Sequence, residues 1–114
     1  MTGETSAELE RIRIEIEGID HDIVALVAKR LDLCRRVAPL KLAVGLEAHI
    51  PHRVKLVIDR WVNDAVDRKI NPELIRNVCE QIIAEGEKLQ IEEMREVSAS
   101  PQAPSGPDIK PVEK

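Results

Sequence analysis

The sequence predicts an all-α chain of three helices, and its composition, its breaks and an apolar repeat all support this. Of the 114 residues, 43% are hydrophobic and 33% are charged, with one Trp and no Phe or Tyr. A core without these rings must be aliphatic, and a chain rich in Ala, Leu, Glu, Lys and Arg is typical of long helices. Breaks at 45–51 and 67–72 divide the chain into three helices. At this length we expect a single domain.

Helix 1 carries the strongest pattern, because its apolar residues recur at alternating steps of three and four. This spacing is a heptad seam, formed by Leu9, Ile12, Ile16, Ile19, Ile23, Leu26, Leu33, Val37 and Leu40. We expect Thr5 or Ser6 to cap the helix and Gly45 to end it just after Val44. Pro39 removes one backbone hydrogen bond, which predicts a kink in the last two turns and allows a break near residue 38.

Helices 2 and 3 each begin at a proline. Pro51 suits the first turn of helix 2, whose predicted buried face is Val54, Val57, Ile58, Trp61, Val62 and Ala65. Asn71 and Pro72 form a cap and first-turn pair for helix 3, which we expect to fray near Val97. The apolar stripe of helix 3 is Leu74 or Ile75, Val78 or Cys79, Ile82, Ile83, Gly86, Leu89 and Gln90.

The ends of the chain differ from its middle. Residues 98–114 hold four of the seven prolines and little apolar content, so we predict a disordered tail there. Residues 1–6 are predicted to be a disordered N-terminus, and residues 7–97 to be the helical domain.

The length of helix 1 predicts an assembly. About 36 residues at 1.5 Å each make a helix of roughly 54 Å, whereas a compact monomer of this size has a radius of gyration of about 13 Å. Two shorter helices cannot cover so long a seam. We therefore expect helix 1 to pair with its copy in an intertwined homodimer.

Composition and spacing exclude several other classes. A net charge of −4 and a single large ring argue against nucleic-acid binding. The longest apolar run is far shorter than a membrane span. Cys34 and Cys79 are not in a metal-binding or redox spacing, which favours a reducing, cytoplasmic location. The three histidines, His21, His49 and His52, are interpreted as surface residues, so we expect neither metal nor cofactor.

Cations interrupt the apolar pattern of helix 1. Arg30 occupies a seam position, where a guanidinium is costly unless an anion meets it. The anion is either a carboxylate of the partner chain or a bound carboxylate or phosphate, which Arg can hold with two hydrogen bonds. Arg13 and Lys41 are 28 residues apart on the neighbouring face, roughly 42 Å along a helix. They therefore cannot touch one small ligand within one chain, but in an antiparallel dimer Arg13 of one chain can approach Arg30 and Lys41 of the other.

Three further residues complete the candidate site. Gln90 lies on the stripe of helix 3, one turn after Gly86, and Arg53 lies in the first turn of helix 2. Gly86 in mid-helix costs about 1 kcal/mol relative to Ala, which fits either a close approach to a ligand or a helix-packing contact. Together these cations and the amide could surround a small dianion without a nucleophile, a metal or a general base.

These residues make the sequence similar to the all-helical chorismate mutase family. The resemblance runs through "LERIRIEIEGIDHDIVALVAKRLDLCRRVAPLK", "PHRV" and "EQIIAEGEKLQ", about residues 9–90. It implies an isomerase in which Arg30 and the partner's copy of Arg13 hold carboxylates, and in which Lys41 and Gln90 donate to the ether oxygen. It also implies that Arg53 makes a further contact near the ring carboxylate or the loop over the site. Such a Claisen rearrangement requires only positioning and charge stabilisation.

The sequence departs from the common family members at three positions that contact substrate. An acidic residue is replaced by Ile50, a Glu that reads the ring hydroxyl by Val54, and a Ser by Gly86. The stretch from Gly45 to Arg60 resembles 4-amino-4-deoxychorismate mutases of antibiotic biosynthesis, which favours the amino substrate. Isochorismate-pyruvate lyase activity is one alternative, and a non-catalytic helical dimerisation module is another.

Overall fold

A computed structural model describes residues 2–99 of the chain, and these form three helices. Their bounds are α1, Gly3–Ala43; α2, Pro51–Asp67; and α3, Pro72–Ala99. The predicted all-α class, the long first helix and both breaks are confirmed. The structure divides into two compact units, Met1–Arg30 and Leu31–Lys114. Of the predicted disordered tail, Ser98 and Ala99 are helical, and residues 100–114 lie outside the described residues.

The N-terminus of α1 differs from the prediction. Thr2, and not Thr5 or Ser6, is the cap: its hydroxyl oxygen accepts the backbone N–H of Thr5 at 3.1 Å, and its carbonyl accepts that of Ser6 at 3.0 Å. These bonds satisfy amides that would otherwise have no partner in the first turn. The prediction that the whole of residues 1–6 is disordered is therefore wrong, since residues 3–6 are helical.

The C-terminus of α1 is closed by Gly45, as predicted. Its φ of 78° lies in the left-handed region, which a glycine adopts without steric cost. The N–H of Leu46 donates to the carbonyl of Lys41 at 2.8 Å, and that of Gly45 donates to Leu42 at 3.2 Å. This is a Schellman motif. The break that Pro39 allowed near residue 38 is absent, because α1 runs through Pro39 as one helix.

Helix α2 ends in a second Schellman motif. Ile70 N–H donates to Ala65 at 2.9 Å and Lys69 N–H donates to Val66 at 3.1 Å. The left-handed position is taken by Lys69, with a φ of 61°. Helix α3 then begins as predicted, because the side-chain oxygen of Asn71 accepts the Glu73 amide at 2.9 Å.

The packed faces of α2 and α3 agree with the apolar patterns. On α2, Ala65 is buried and the other five predicted residues are half-buried. On α3 the open choices resolve to Ile75 and Cys79, since Leu74 and Val78 are exposed. Buried positions in residues 31–99 are few and mostly small, namely Ala38, Ala48, Ala65, Cys79, Gly86 and Gln90.

The heptad seam of α1 is exposed along the chain. Ile23 is 53% exposed and Leu26 is 64% exposed, and the other predicted apolar seam residues are exposed too. Among residues 2–30 only Val27 and Arg30 are half-buried. None of the helices in the described part of the chain has the length and apolarity that a membrane span requires.

Candidate active site

Lys41 and Gln90 form the centre of the candidate site. Lys41 Nζ donates to Gln90 Oε1 at 2.9 Å and to the backbone carbonyl of Ala48 at 2.8 Å. Gln90 Nε2 donates to the backbone carbonyl of Cys34 at 2.9 Å. Gln90 is only 6% exposed, and these bonds compensate for burying its amide. The structure thus brings together two residues that are 49 positions apart and were predicted to act on one atom.

Backbone structure places both anchoring carbonyls. The Schellman motif at Gly45 turns the chain out of α1, and the following loop returns Ala48 to the Lys41 ammonium. Cys34 lies two helical turns before Lys41 in α1, and residues at this spacing share one face of a helix. The side-chain amide of Gln90 can therefore contact Lys41 through its oxygen and the carbonyl of Cys34 through its nitrogen. Neither carbonyl has a side-chain signature, so the sequence could not have identified Ala48 or Cys34 as part of the site.

Gly86 packs against Cys34. A Cβ built on Gly86 would lie 3.0 Å from Cys34 Sγ and 3.5 Å from Cys34 Cβ, with Leu31 Cδ2 next at 3.9 Å. The first distance is closer than real Cβ atoms ordinarily come to another heavy atom. Of the two interpretations that the sequence left open, the structure supports a helix-packing contact, which lets α3 approach residues 31–38 closely.

Three predicted substrate contacts lie at the start of α2. Ile50 is the residue before the helix, with extended backbone at φ −118° and ψ 101°, and both Ile50 and Val54 are half-buried. Arg53 is exposed, and its guanidinium makes no hydrogen bond or ion pair within residues 2–99. The helix start therefore presents an apolar pair and one cation.

The other two predicted cations belong to the unit that ends at Arg30. Arg13 is exposed, whereas Arg30 is half-buried, unlike the exposed apolar residues of the seam. Both remain predicted substrate contacts.

One polar pair beside the site was missed from the sequence. His49 Nδ1 and Glu87 Oε2 are 2.8 Å apart and join the loop before α2 to α3. The only available signal was that His49 stands between a predicted helix end and a helix start.

No group of three or more His, Cys, Asp or Glu side chains in residues 2–99 is arranged to hold a metal ion.

Comparison of the sequence with known proteins places the chain in a family. The family model for chorismate mutase type II matches residues 12–91, which is more than half of the chain. The chain belongs to the chorismate mutase type II family. The match includes Arg13, Arg30, Lys41, Arg53 and Gln90.

Individual relatives agree with this assignment. The chain is 35% identical over 78 residues to a 4-amino-4-deoxychorismate mutase of Streptomyces venezuelae, covering 68% of this chain and 76% of the relative. A second protein of that name, from Streptomyces pristinaespiralis, is 29% identical over 84 residues, with coverages of 74% and 65%. A chorismate mutase of Methanocaldococcus jannaschii is 27% identical over 89 residues, with coverages of 78% and 90%. The protein is thus an isomerase of the chorismate mutase type.

Proposed function

We propose that this chorismate mutase rearranges 4-amino-4-deoxychorismate to 4-amino-4-deoxyprephenate. The support is the similarity to two Streptomyces proteins that carry this activity in their names, together with Ile50 and Val54 in place of polar residues. These two side chains cannot distinguish a hydroxyl from an amine by hydrogen bonding. Chorismate is the second candidate, favoured by the Methanocaldococcus relative. The amino substrate would place the enzyme in the formation of an antibiotic precursor.

The observation that carries the proposed rearrangement, for either substrate, is the bonding of Lys41 and Gln90. An ammonium has three N–H groups, and two of them are held by Ala48 and by Gln90. A side-chain amide has two N–H groups, and one of them is held by Cys34. Among the bonds within residues 2–99, each residue therefore retains one donor, and its other bonds fix the orientation of that donor. Two donors that are already fixed in place can stabilise a developing negative charge without further reorganisation.

The proposed reaction needs such donors and little else. The bond between the ether oxygen and the ring breaks, while the methylene carbon of the enolpyruvyl group bonds to the ring carbon that bears the carboxylate. Electrons move around one cyclic transition state, so no proton is transferred and no covalent intermediate forms. Negative charge grows on the ether oxygen, where the donors of Lys41 and Gln90 act.

Arginines would hold the two carboxylates in the conformer that reacts. We assign Arg30 and Arg53 to this role in one chain, with Arg13 contributed by a second chain. Two-point guanidinium contacts fix both the position and the orientation of a carboxylate, and holding the side arm over the ring lowers the entropic barrier. The exposed Arg53 can receive a carboxylate without first breaking a bond to residues 2–99.

The homodimer is part of the same proposal. The exposed apolar seam of α1 has the heptad spacing by which one helix packs against another, and we assign the seam of a second copy to it. Analytical ultracentrifugation checks this: a dimer is expected, and a monomer at micromolar concentration would contradict the assignment.

Three substrates separate the possible activities. Purified protein is incubated with 4-amino-4-deoxychorismate, chorismate and isochorismate, and products are separated by chromatography and identified by NMR. The highest kcat/KM is expected for the amino substrate. A preference for chorismate would move the assignment to the second candidate, and pyruvate release from isochorismate would indicate a lyase. No turnover of any of the three would overturn the proposal.

Lys41→Ala tests the role of the ammonium. Removal of one preorganised donor to a developing oxyanion lowers kcat by about 100- to 1000-fold, and we expect that range here. The matched control is Lys55→Ala, which removes an ammonium paired with Asp59 on the exposed side of α2 and should leave kcat within about twofold. Equal effects of the two variants would contradict the assignment.

A further inference from the structure

Two polar side-chain contacts, here called the two fastenings, hold the loop between α1 and α2 near the candidate site. The first is the bond from Lys41 Nζ to the carbonyl of Ala48. The second is the contact of 2.8 Å between His49 Nδ1 and Glu87 Oε2, which reaches from the loop to α3. Because Ala48 and His49 are adjacent, the two fastenings act on neighbouring peptide units.

The second fastening connects directly to the residues of the site. Its loop end is next to the carbonyl that holds Lys41, and its helix end, Glu87, lies three residues before Gln90 on α3. Ala48 is buried although the His49 side chain is 58% exposed. The backbone of the loop is therefore held inward while the imidazole lies outside it, against the Glu87 carboxylate.

We propose that His49 and Glu87 are a positioning pair, a latch that holds the Ala48 carbonyl against Lys41 and so directs the remaining Lys41 donor. The kinetic part of this inference rests on the proposed function, whereas the latch itself does not. Neither residue is assigned contact with substrate. The pair acts through Ala48 on one side and through the turn of α3 before Gln90 on the other.

The chemistry of the pair indicates which substitutions are informative. An ionised carboxylate only accepts hydrogen bonds, so His49 Nδ1 is the donor. His49→Ala and Glu87→Ala each remove the bond. His49→Asn keeps an N–H group close to the position of Nδ1 and should restore it. Suitable controls are His52→Ala and Glu85→Ala, which remove exposed residues of the same types from α2 and α3.

Hydrogen exchange measures the latch without any substrate. An exposed polar contact between two side chains contributes a small free energy, equivalent to at most about a fivefold change in an equilibrium. We expect exchange in the peptide that covers residues 44–50 to be about two- to fivefold faster in His49→Ala and in Glu87→Ala. The double variant should exchange no faster than either single variant, because both remove the same bond. Unchanged exchange in both single variants would overturn the proposal, whatever the activity of the enzyme.

Steady-state kinetics then test positioning. The assay uses the substrate that the wild type turns over fastest. The kcat of His49→Ala and of Glu87→Ala should fall about two- to fivefold, while KM should change by less than about twofold. This difference is expected because the Lys41 donor acts in the transition state. His49→Asn should recover the wild-type kcat. Faster loop exchange with an unchanged kcat would overturn the positioning role. A wild type without turnover would instead contradict the proposed function and leave the exchange experiment to decide the latch.

Discussion

Gly86→Ala places one methyl group in the narrow space between α3 and Cys34. The new Cβ would lie 3.0 Å from Cys34 Sγ, so the helices or the thiol would have to shift. Overpacking of this kind costs about 1–3 kcal/mol, while Ala in place of Gly within a helix contributes about 1 kcal/mol of stability. We therefore expect Gly86→Ala to lower the free energy of unfolding by between zero and about 2 kcal/mol.

The same substitution should have the opposite sign once the thiol is removed. In Cys34→Ala the nearest atoms to the new methyl group are the Cβ of residue 34 at 3.5 Å and Leu31 Cδ2 at 3.9 Å, which are ordinary contacts. Only the helix propensity then remains, and Gly86→Ala should raise the free energy of unfolding by about 1 kcal/mol. The double-mutant cycle should give a coupling free energy of about 1–3 kcal/mol.

Urea unfolding of the four proteins at one fixed chain concentration measures this coupling. Gly18→Ala is the matched control, because a Cβ at Gly18 meets nothing within 4 Å. It should change stability equally in both backgrounds, within about 0.5 kcal/mol. If Gly86→Ala is stabilising in the wild type by as much as in Cys34→Ala, the steric argument is refuted.

Three further outcomes follow from local geometry. Lys69→Gly should raise the free energy of unfolding by about 0.5–1 kcal/mol, because glycine removes the left-handed strain of a side chain at φ 61°; Lys69→Ala, which keeps the Cβ, should give no such gain in the same urea titration. Asn71→Ala should lower the free energy of unfolding by about 1 kcal/mol through loss of the α3 cap, whereas Asn77→Ala inside α3 should not lower it. Gln90→Glu should make kcat/KM rise as pH falls, because a carboxyl group donates a hydrogen bond only while protonated; a pH–rate profile as flat as that of the wild type would contradict the donor role.

The ends of the helices could be predicted from the sequence wherever a single residue determines the end. Pro51, Asn71 and Gly45 each have one structural consequence at a helix end, and all three predictions are confirmed. The start of α1 did not follow, because Thr2, Thr5 and Ser6 all have a hydroxyl that can cap. The choice depends on which oxygen reaches an amide three residues later.

The candidate site followed from the sequence only in its charged and amide side chains. Lys41 and Gln90 interrupt apolar patterns, so they could be recognised as exceptions. The carbonyls of Ala48 and Cys34 could not, since every residue has one. The pairing of His49 with Glu87 depends on the path of a loop, and no periodicity describes that path.

Two glycines place the carbonyls on which the proposed donors, Lys41 and Gln90, depend, for different physical reasons. Gly45 turns the chain at a positive φ so that the loop carries Ala48 back to Lys41. Gly86 has an ordinary helical conformation but lacks the Cβ that would push Cys34, and its carbonyl, away from Gln90. A side chain at either glycine should therefore lower kcat without removing any group that contacts substrate. Only the effect at Gly86 should be relieved by Cys34→Ala, because strain at Gly45 comes from the backbone itself and no neighbouring side chain can be trimmed to remove it.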